Sequence, residues 1–182
     1  MYNLRERDIN VDEKIIHPGY DHKDNDTHND NALLRLATKV EFTDKMQPIC
    51  LPLDPATWTT DYSLKCFQVT GWGRTENHTP SHVKLKVILP VVSTGTCSEM
   101  FSNLSITVVK SQFCAGGEID KDSCGGDSGG SLMMKNSHKS LPEWYIAGIV
   151  SYGPIKCGTE GVPGVYTRVS AFLEWIVDNM RP

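Results

Sequence analysis

The sequence predicts an all-β protein with a C-terminal helix, on three observations. Short apolar runs alternate with Gly, Pro, Asn and Asp along most of the chain, the punctuation of strands and tight turns. In Val83-Lys84-Leu85-Lys86-Val87 the alternation is strict, so one face of that strand is predicted buried and the other wet. At the end of the chain Phe172, Leu173, Ile176, Val177 and Met180 recur at helical spacing, giving one apolar stripe.

In chain order, strands are predicted from Lys14 to His17, Ala32 to Leu36, Phe67 to Gly71, His82 to Val92, Trp144 to Ser151 and Gly164 to Val169. Pro90 lacks a backbone N–H and is expected to end or bulge the fourth of these. A short helix is predicted from Gly95 to Phe101, capped by Ser93 or Thr94. The last helix is predicted to begin after Ser170, a good N-cap residue. The polar, Pro-containing stretch from Leu53 to Leu64 is a candidate linker between two lobes. A length of 182 residues suits one medium domain or two small lobes.

Composition narrows the function classes. The net charge of −4 argues against a sequence-independent nucleic-acid partner, which calls for a basic surplus. No apolar run reaches the length that spans a bilayer, so no membrane partner is expected. Cysteines stand at 50, 66, 97, 114, 124 and 157, none in a Cys-x-x-Cys pair, so no metal site or cofactor is expected. Scattered cysteines of this kind more often form structural disulfides, which implies an oxidising compartment. The sequons Asn25-Asp26-Thr27, Asn77-His78-Thr79 and Asn103-Leu104-Ser105 point the same way. The polar start, Met1-Tyr2-Asn3-Leu4-Arg5-Glu6-Arg7-Asp8, is not a signal peptide. Either the start is not the natural one or the protein is not secreted.

The most informative segment is Asp122-Ser123-Cys124-Gly125-Gly126-Asp127-Ser128-Gly129-Gly130. A serine hydroxyl is a poor nucleophile until a base takes its proton and donors hold the developing oxyanion. Glycines beside it let backbone N–H groups approach a substrate carbonyl without a Cβ in the way. A plain Gly/Ser turn is the alternative for this segment alone.

Further motifs stand in a fixed order around it: Asp30-Asn31-Ala32-Leu33-Leu34-Arg35-Leu36, Pro48-Ile49-Cys50-Leu51-Pro52, Gly71-Trp72-Gly73, Phe113-Cys114-Ala115-Gly116, Gly148-Ile149-Val150-Ser151-Tyr152-Gly153 and Pro163-Gly164-Val165-Tyr166-Thr167. With these the chain resembles the chymotrypsin/trypsin-like serine proteases, nearest the trypsin-like subgroup that includes arthropod clip-domain proteases. The resemblance runs from about Ile15 onward. It implies a chymotrypsin-like double antiparallel β-barrel with a C-terminal helix. Residues 1–60 would be the remainder of an incomplete first barrel and the linker, and residues 61–182 the second barrel, closed around Trp72, Val150 and Tyr166, with the helix.

The resemblance also assigns roles. Ser128 is implied as nucleophile, with the N–H groups of Gly126 and Ser128 as oxyanion hole. Asp30 matches the aspartate that orients the catalytic histidine. Ser151 and Gly153 match the strand that pairs with substrate. Asp122 matches the floor of the primary specificity pocket, where a carboxylate favours Arg or Lys. Gly153 and Gly164 match wall positions that must stay small. Asp127 matches the acid that pairs with the amino group freed on activation. Cys97–Cys114 and Cys124–Cys157 match two disulfides. Cys50 matches a cysteine that tethers an upstream segment. Cys66 sits one residue before a position where many members have a cysteine, and Met134 stands at the usual partner position, which leaves Cys66 free or paired outside the pattern. The implied partners are protein substrates and serine protease inhibitors, and the implied location is extracellular.

One element is missing. The catalytic histidine belongs in an Ala-Ala-His-Cys type of motif upstream of Asp30, and none is present. Histidines 17, 22, 28, 78, 82 and 138 read as surface or turn residues. The activation site is absent as well. The chain is therefore read as an N-terminally truncated form of an Arg/Lys-specific endopeptidase, inactive as written. The alternative is a non-catalytic homologue acting by binding.

Overall fold

The computed structural model describes residues 8–23, 27–44, 46–54, 66–75, 79–136 and 143–181. Residues 55–64 of the expected linker, the boundary at 60 and 61, Asn25, Asn77, His78 and His138 lie outside the described residues.

Two antiparallel strands, β1 (Val11–Ile16) and β2 (Ala32–Leu36), form a small open sheet. Six more strands close into a barrel: β3 (Cys66–Gly71), β4 (Leu85–Val92), β5 (Gln112–Gly116), β6 (Ser131–Asn136), β7 (Glu143–Tyr152) and β8 (Pro163–Arg168). Their order around the barrel is β3-β4-β5-β8-β7-β6, all antiparallel. Closure leaves the barrel no free edge, whereas the two-stranded sheet keeps its own. Phe67, Val69, Leu89, Phe113, Ala115, Leu132, Val150 and Tyr166 fill the interior.

Pro90 does not break β4. It lies opposite Cys66 at the last pair with β3, and the next residue, Val91, pairs with Ala115 of β5. The proline thus falls where the strand changes neighbours and its missing N–H leaves the fewest ladder bonds unmade. The face expected to be buried in residues 83–87 is a correction: Val83 is 64% and Leu85 45% exposed. Leu85 borders a cavity rather than the packed core. Trp72 is a second correction, since it lies outside the barrel while Val150 and Tyr166 lie inside.

Helix α1 (Thr94–Ser102) is capped by Ser93, whose Oγ accepts the Thr96 N–H at 3.1 Å. At the C-terminus a 3-10 turn (Val169–Phe172) leads into α2 (Leu173–Asn179). Ser170 falls inside that turn and caps nothing, contrary to expectation. Phe172 and Leu173 are buried, but Val177 and Met180 at the far end of the stripe are exposed. The turn and the helix instead meet the small sheet and its edge at His17 and Arg35. The His17 ring meets Phe172 and Trp175 edge-on, with centroids 5.1 and 4.9 Å away, and Arg35 Nη2 donates to the Asn179 carbonyl at 3.2 Å.

Cys97 is bonded to Cys114 and Cys124 to Cys157, as the resemblance implies. Cys50 and Cys66 are free and exposed. The alternation of β3 explains Cys66: it faces out, while Phe67 faces in and joins Met134 in the apolar core. An apolar pair thus occupies the interior positions where the family bridge would lie. The barrel core should be intolerant of voids. Leu89→Ala, at a fully buried position of β4, is expected to cost about 2–5 kcal/mol, read as a lower urea midpoint at unchanged slope.

Candidate active site

The segment from Asp122 to Gly130 leads into β6 and is folded as a series of tight turns. Asp127 N–H donates to the Cys124 carbonyl at 2.9 Å, and Gly130 N–H to the Asp127 carbonyl at 2.8 Å. Gly126 and Gly129 have φ of +101° and +78°, values that side chains with a Cβ rarely adopt. The loop is stitched to β7, where Gly129 N–H donates to the Val150 carbonyl and Val150 N–H to the Gly130 carbonyl, each at 2.9 Å. This exposes Ser128 on a braced turn. Among the described residues, nothing accepts the N–H of Gly126 or Ser128.

Asp127 turns inward. Its Oδ1 accepts the Gly73 N–H at 2.8 Å and its Oδ2 the Cys124 N–H at 2.9 Å. A Cβ at Gly71 or Gly73 would fall on this carboxylate. The two glycines of the Gly-Trp-Gly motif are therefore a seat for the acid, a role the sequence alone did not reveal.

Asp30 reaches the same region from the small sheet. Ser151 Oγ donates to Asp30 Oδ2 at 2.5 Å, and Thr167 Oγ1 donates to the Asp30 carbonyl at 2.8 Å. Ser151 in turn lines the same cavity, of about 320 Å³, as Ser128, Gly153 and Cys124. Residues 121 positions apart in sequence are thus joined at one site.

Asp122 lies next door. It does not line the Ser128 cavity but an adjoining one of about 230 Å³, which it shares with Asp127. Arg74, Cys124 and Cys157 border both. Asp122 Oδ2 accepts the Gly158 N–H at 3.1 Å, while its buried Oδ1 has no hydrogen-bond partner among the described residues. Burial pushes the Asp122 carboxyl above the usual carboxylate range. The backbone N–H groups of Gly158 and Ser123 oppose that shift, and the Asp127 carboxylate adds to it. Gly153 and Gly164 face each other: a Cβ on Gly153 would sit 3.4 Å from the Gly164 Cα. Behind them Tyr166 is fully buried, its hydroxyl 2.9 Å from Ser123 Oγ. Burial holds its phenol far above the ordinary range. Sequence reasoning places Tyr166 in the barrel interior but gives neither it nor Ser123 this bracing role.

The raised carboxyl has a consequence for stability. A carboxyl whose folded value exceeds its unfolded one stabilises the fold below the unfolded value and loses that contribution as pH rises through the folded one. Asp122→Asn is therefore expected to raise Tm at pH 7, by about 2–4 °C for each kcal/mol gained. The gain should vanish below about pH 4, where the native carboxyl is protonated as well. Thermal melts of both forms from about pH 3 to about pH 8 check the sign.

Among the described residues, no histidine lines the Ser128 cavity. His17 was expected at a turn and is there, but its ring is packed against Phe172 and Trp175, and its Nδ1 accepts the Gly19 N–H at 3.1 Å. His28 is half-buried with Nε2 3.0 Å from the Thr107 carbonyl.

A β-barrel, an exposed serine on a glycine turn and an acid bonded to Ser151, which lines the same cavity as that serine, are the framework of a serine protease. Comparison with known proteins agrees: the family model described as Trypsin matches residues 2–176, and the chain belongs to that family. It is 45% identical over 175 residues to the silkworm (Bombyx mori) "CLIP domain-containing serine protease HP8", covering 96% of this chain and 47% of that protein. Two Drosophila melanogaster proteins are similar. "Melanization protease 1" is 44% identical, covering 96% of this chain and 44% of the relative, and "Spaetzle-processing enzyme" is 45% identical, with the same two shares. The chain thus spans a little under half the length of these relatives.

Proposed function

We propose that this chain is the larger part of the catalytic domain of an extracellular serine endopeptidase that cleaves protein substrates after Arg and Lys. The observation that carries the reading is Ser151, which binds Asp30 through its hydroxyl while lining the cavity of Ser128. Ser128 attacks the scissile carbonyl, and the N–H groups of Gly126 and Ser128 receive the oxyanion. Asp30 orients a histidine from sequence outside these 182 residues. Asp122 receives the cationic side chain through the oxygen that has no partner among the described residues, and Gly153 and Gly164, packed against each other, put no side chain in its way. An extracellular location is supported by the two disulfides, which persist in oxidising compartments.

The 182-residue chain by itself lacks two parts of this machine. No described histidine is placed to take the Ser128 proton. Asp127 rests on the N–H groups of Gly73 and Cys124, and Asp122 is shut off from the Ser128 cavity. An ammonium arriving at Asp127 would release those N–H groups and let the loop from Asp122 to Ser128 move until the two cavities merge. Both parts would come from the portion of the peptidase domain that precedes these residues, and the exposed Cys50 would tether a separate upstream segment. Protein protease inhibitors are expected to occupy the same cleft.

The test is to express the complete, processed protein and the 182-residue chain and to assay both with Arg-, Lys- and Phe-ended peptide substrates. The complete form is expected to cleave the first two, and the shorter chain none. Preference for Phe, or turnover by the shorter chain that Ser128→Ala abolishes, would contradict the reading.

A further inference from the structure

The sequons of the sequence serve neither the fold nor the protease reading, and one of them, Asn103-Leu104-Ser105, lies wholly within the described residues. It forms the turn at the C-terminal end of α1. Leu104 N–H donates to the Phe101 carbonyl and Ser105 N–H to the Ser102 carbonyl, each at 2.9 Å, and Ile106 N–H returns to the Phe101 carbonyl at 3.0 Å. Ser105 has a φ of +59°, the left-handed conformation that lets the chain reverse within so few residues. The turn is held from below. Phe101 is buried in a small core with the Cys97–Cys114 disulfide, and Ile106 packs against the same core. The residues from Ser102 to Ser105 are all exposed. The fold makes no use of the sequon's side chains: among the described residues, neither the Asn103 amide nor the Ser105 hydroxyl makes a hydrogen bond. By contrast, the amides of Asn29, Asn31 and Asn179 donate to the carbonyls of Gly19, Asn29 and Trp175. Leu104, between the amide and the hydroxyl, is 63% exposed. Neither Asn103 nor Ser105 lines the cavity of Ser128 or that of Asp122.

We propose that Asn103 is a modification site, the acceptor of an N-linked glycan. The proposal rests on the extracellular reading, because the glycosyl donor is met only in the secretory pathway. In the transfer, the Asn103 amide nitrogen loses a proton and bonds to the anomeric carbon of a lipid-pyrophosphate-linked oligosaccharide. The bond from that carbon to the pyrophosphate breaks, the lipid pyrophosphate leaves with the electron pair, and nothing is oxidised or reduced. The hydroxyl two residues on is what the transferase requires beside the amide. A bulky, hydrated sugar must then be carried by the folded chain. Asn103 carries it at no cost in hydrogen bonds, since its amide is not used by the fold, and on a turn fixed by its backbone and by Phe101. The first sugar lies beside Leu104, whose exposed side chain its apolar face covers. Because the site stands outside both cavities, the glycan is expected to leave peptide cleavage unchanged.

The test uses the complete protein, expressed in insect cells and recovered from the medium. Its peptides are treated with an N-glycan amidase in heavy-oxygen water, which turns a glycosylated asparagine into a labelled aspartate, and are mapped by mass spectrometry. The expected result is label at Asn103. Asn103→Gln keeps an amide but offers no acceptor, and Ser105→Gly removes the hydroxyl at a φ that glycine adopts freely. Each is expected to lose that label and the amidase-sensitive band shift that goes with it, while kcat/KM on an Arg-ended peptide stays unchanged. If Ser105→Gly does not reach the medium, Asn103→Gln carries the comparison. Protein from the medium with Asn103 bare overturns the proposal, also where Asn25 or Asn77 bears a glycan. Label at Asn103 that survives Ser105→Gly overturns it too, since its source would be deamidation. Protein that stays in the cytosol with Asn103 bare overturns the proposal and the extracellular reading together, and its absence from the medium identifies that case. Failure of the protease reading is seen separately, as no cleavage of the Arg-ended peptide by any form with the glycan in place.

Discussion

Ser128→Ala in the complete, processed protein is expected to lower kcat toward an Arg-ended substrate by about 10⁶-fold, with little change in KM. The hydroxyl forms the new bond to the acyl carbon, so no neighbouring group takes over when it is gone. What remains is catalysis from binding and from the oxyanion donors, a residue of about 10³–10⁴ over water. The substrate contacts proposed along Ser151 to Gly153 and at Asp122 would not involve the Ser128 hydroxyl, which is why KM should hold. Fold integrity is expected to be unaffected, because Ser128 is exposed and the turn is braced through Gly129 and Gly130. The same substitution in the 182-residue chain should change nothing, since that form is expected to have no activity to lose. Steady-state kinetics on four proteins, two lengths with and without the substitution, make the comparison.

Asp122→Ser is expected to remove cleavage after Arg and Lys by about 10²–10⁴-fold in kcat/KM while leaving hydrolysis of a small activated ester. The Asp122 carboxylate is largely withdrawn from water and keeps one oxygen without a hydrogen-bond partner among the described residues. A buried acceptor of that kind costs free energy until a cation arrives, and a guanidinium or ammonium satisfies it with a charge-assisted bond. Taking away one member of a buried pair leaves the other desolvated and unpaired, at about 3–5 kcal/mol. The substitution should also move the preference toward apolar side chains, since the glycine walls keep the pocket open. Asp122 is thus expected to be a residue that weakens the fold at neutral pH and is retained for recognition.

The parts of the site that were legible in the sequence are those whose chemistry is local. The run from Asp122 to Gly130 needs its residue types at that spacing, because glycine turns, an acid and a hydroxyl must share a few residues of chain. Ala32–Leu36 was placed to the residue, and Ser93 was one of the two caps named for α1. Strands β5 and β6 were not seen as strands. β5 is buried on every side, so Gln112–Gly116 shows no alternation, and β6 carries Met and Lys, which favour helices as readily. Tertiary contacts were the least legible. That Gly71 and Gly73 make room for Asp127, or that Tyr166 braces Ser123, depends on residues more than forty positions apart, which no local pattern encodes. Ser170 failed as a cap because the chain enters α2 through a 3-10 turn. Val177 and Met180 kept the helical period without burial, so burial is confined to the start of that helix's stripe, at Phe172 and Leu173.

The claim at the centre is that Ser128 is a nucleophile beside a pocket that receives a cation. It is tested most directly by treating the complete, processed protein with an Arg-mimicking phosphonate ester and mapping the adduct by peptide mass spectrometry. The expected result is one adduct, on Ser128, that benzamidine suppresses by occupying the site of Asp122. An adduct on a different residue, or labelling of Ser128 that benzamidine leaves unchanged while Arg-ended substrates are being cleaved, would contradict it.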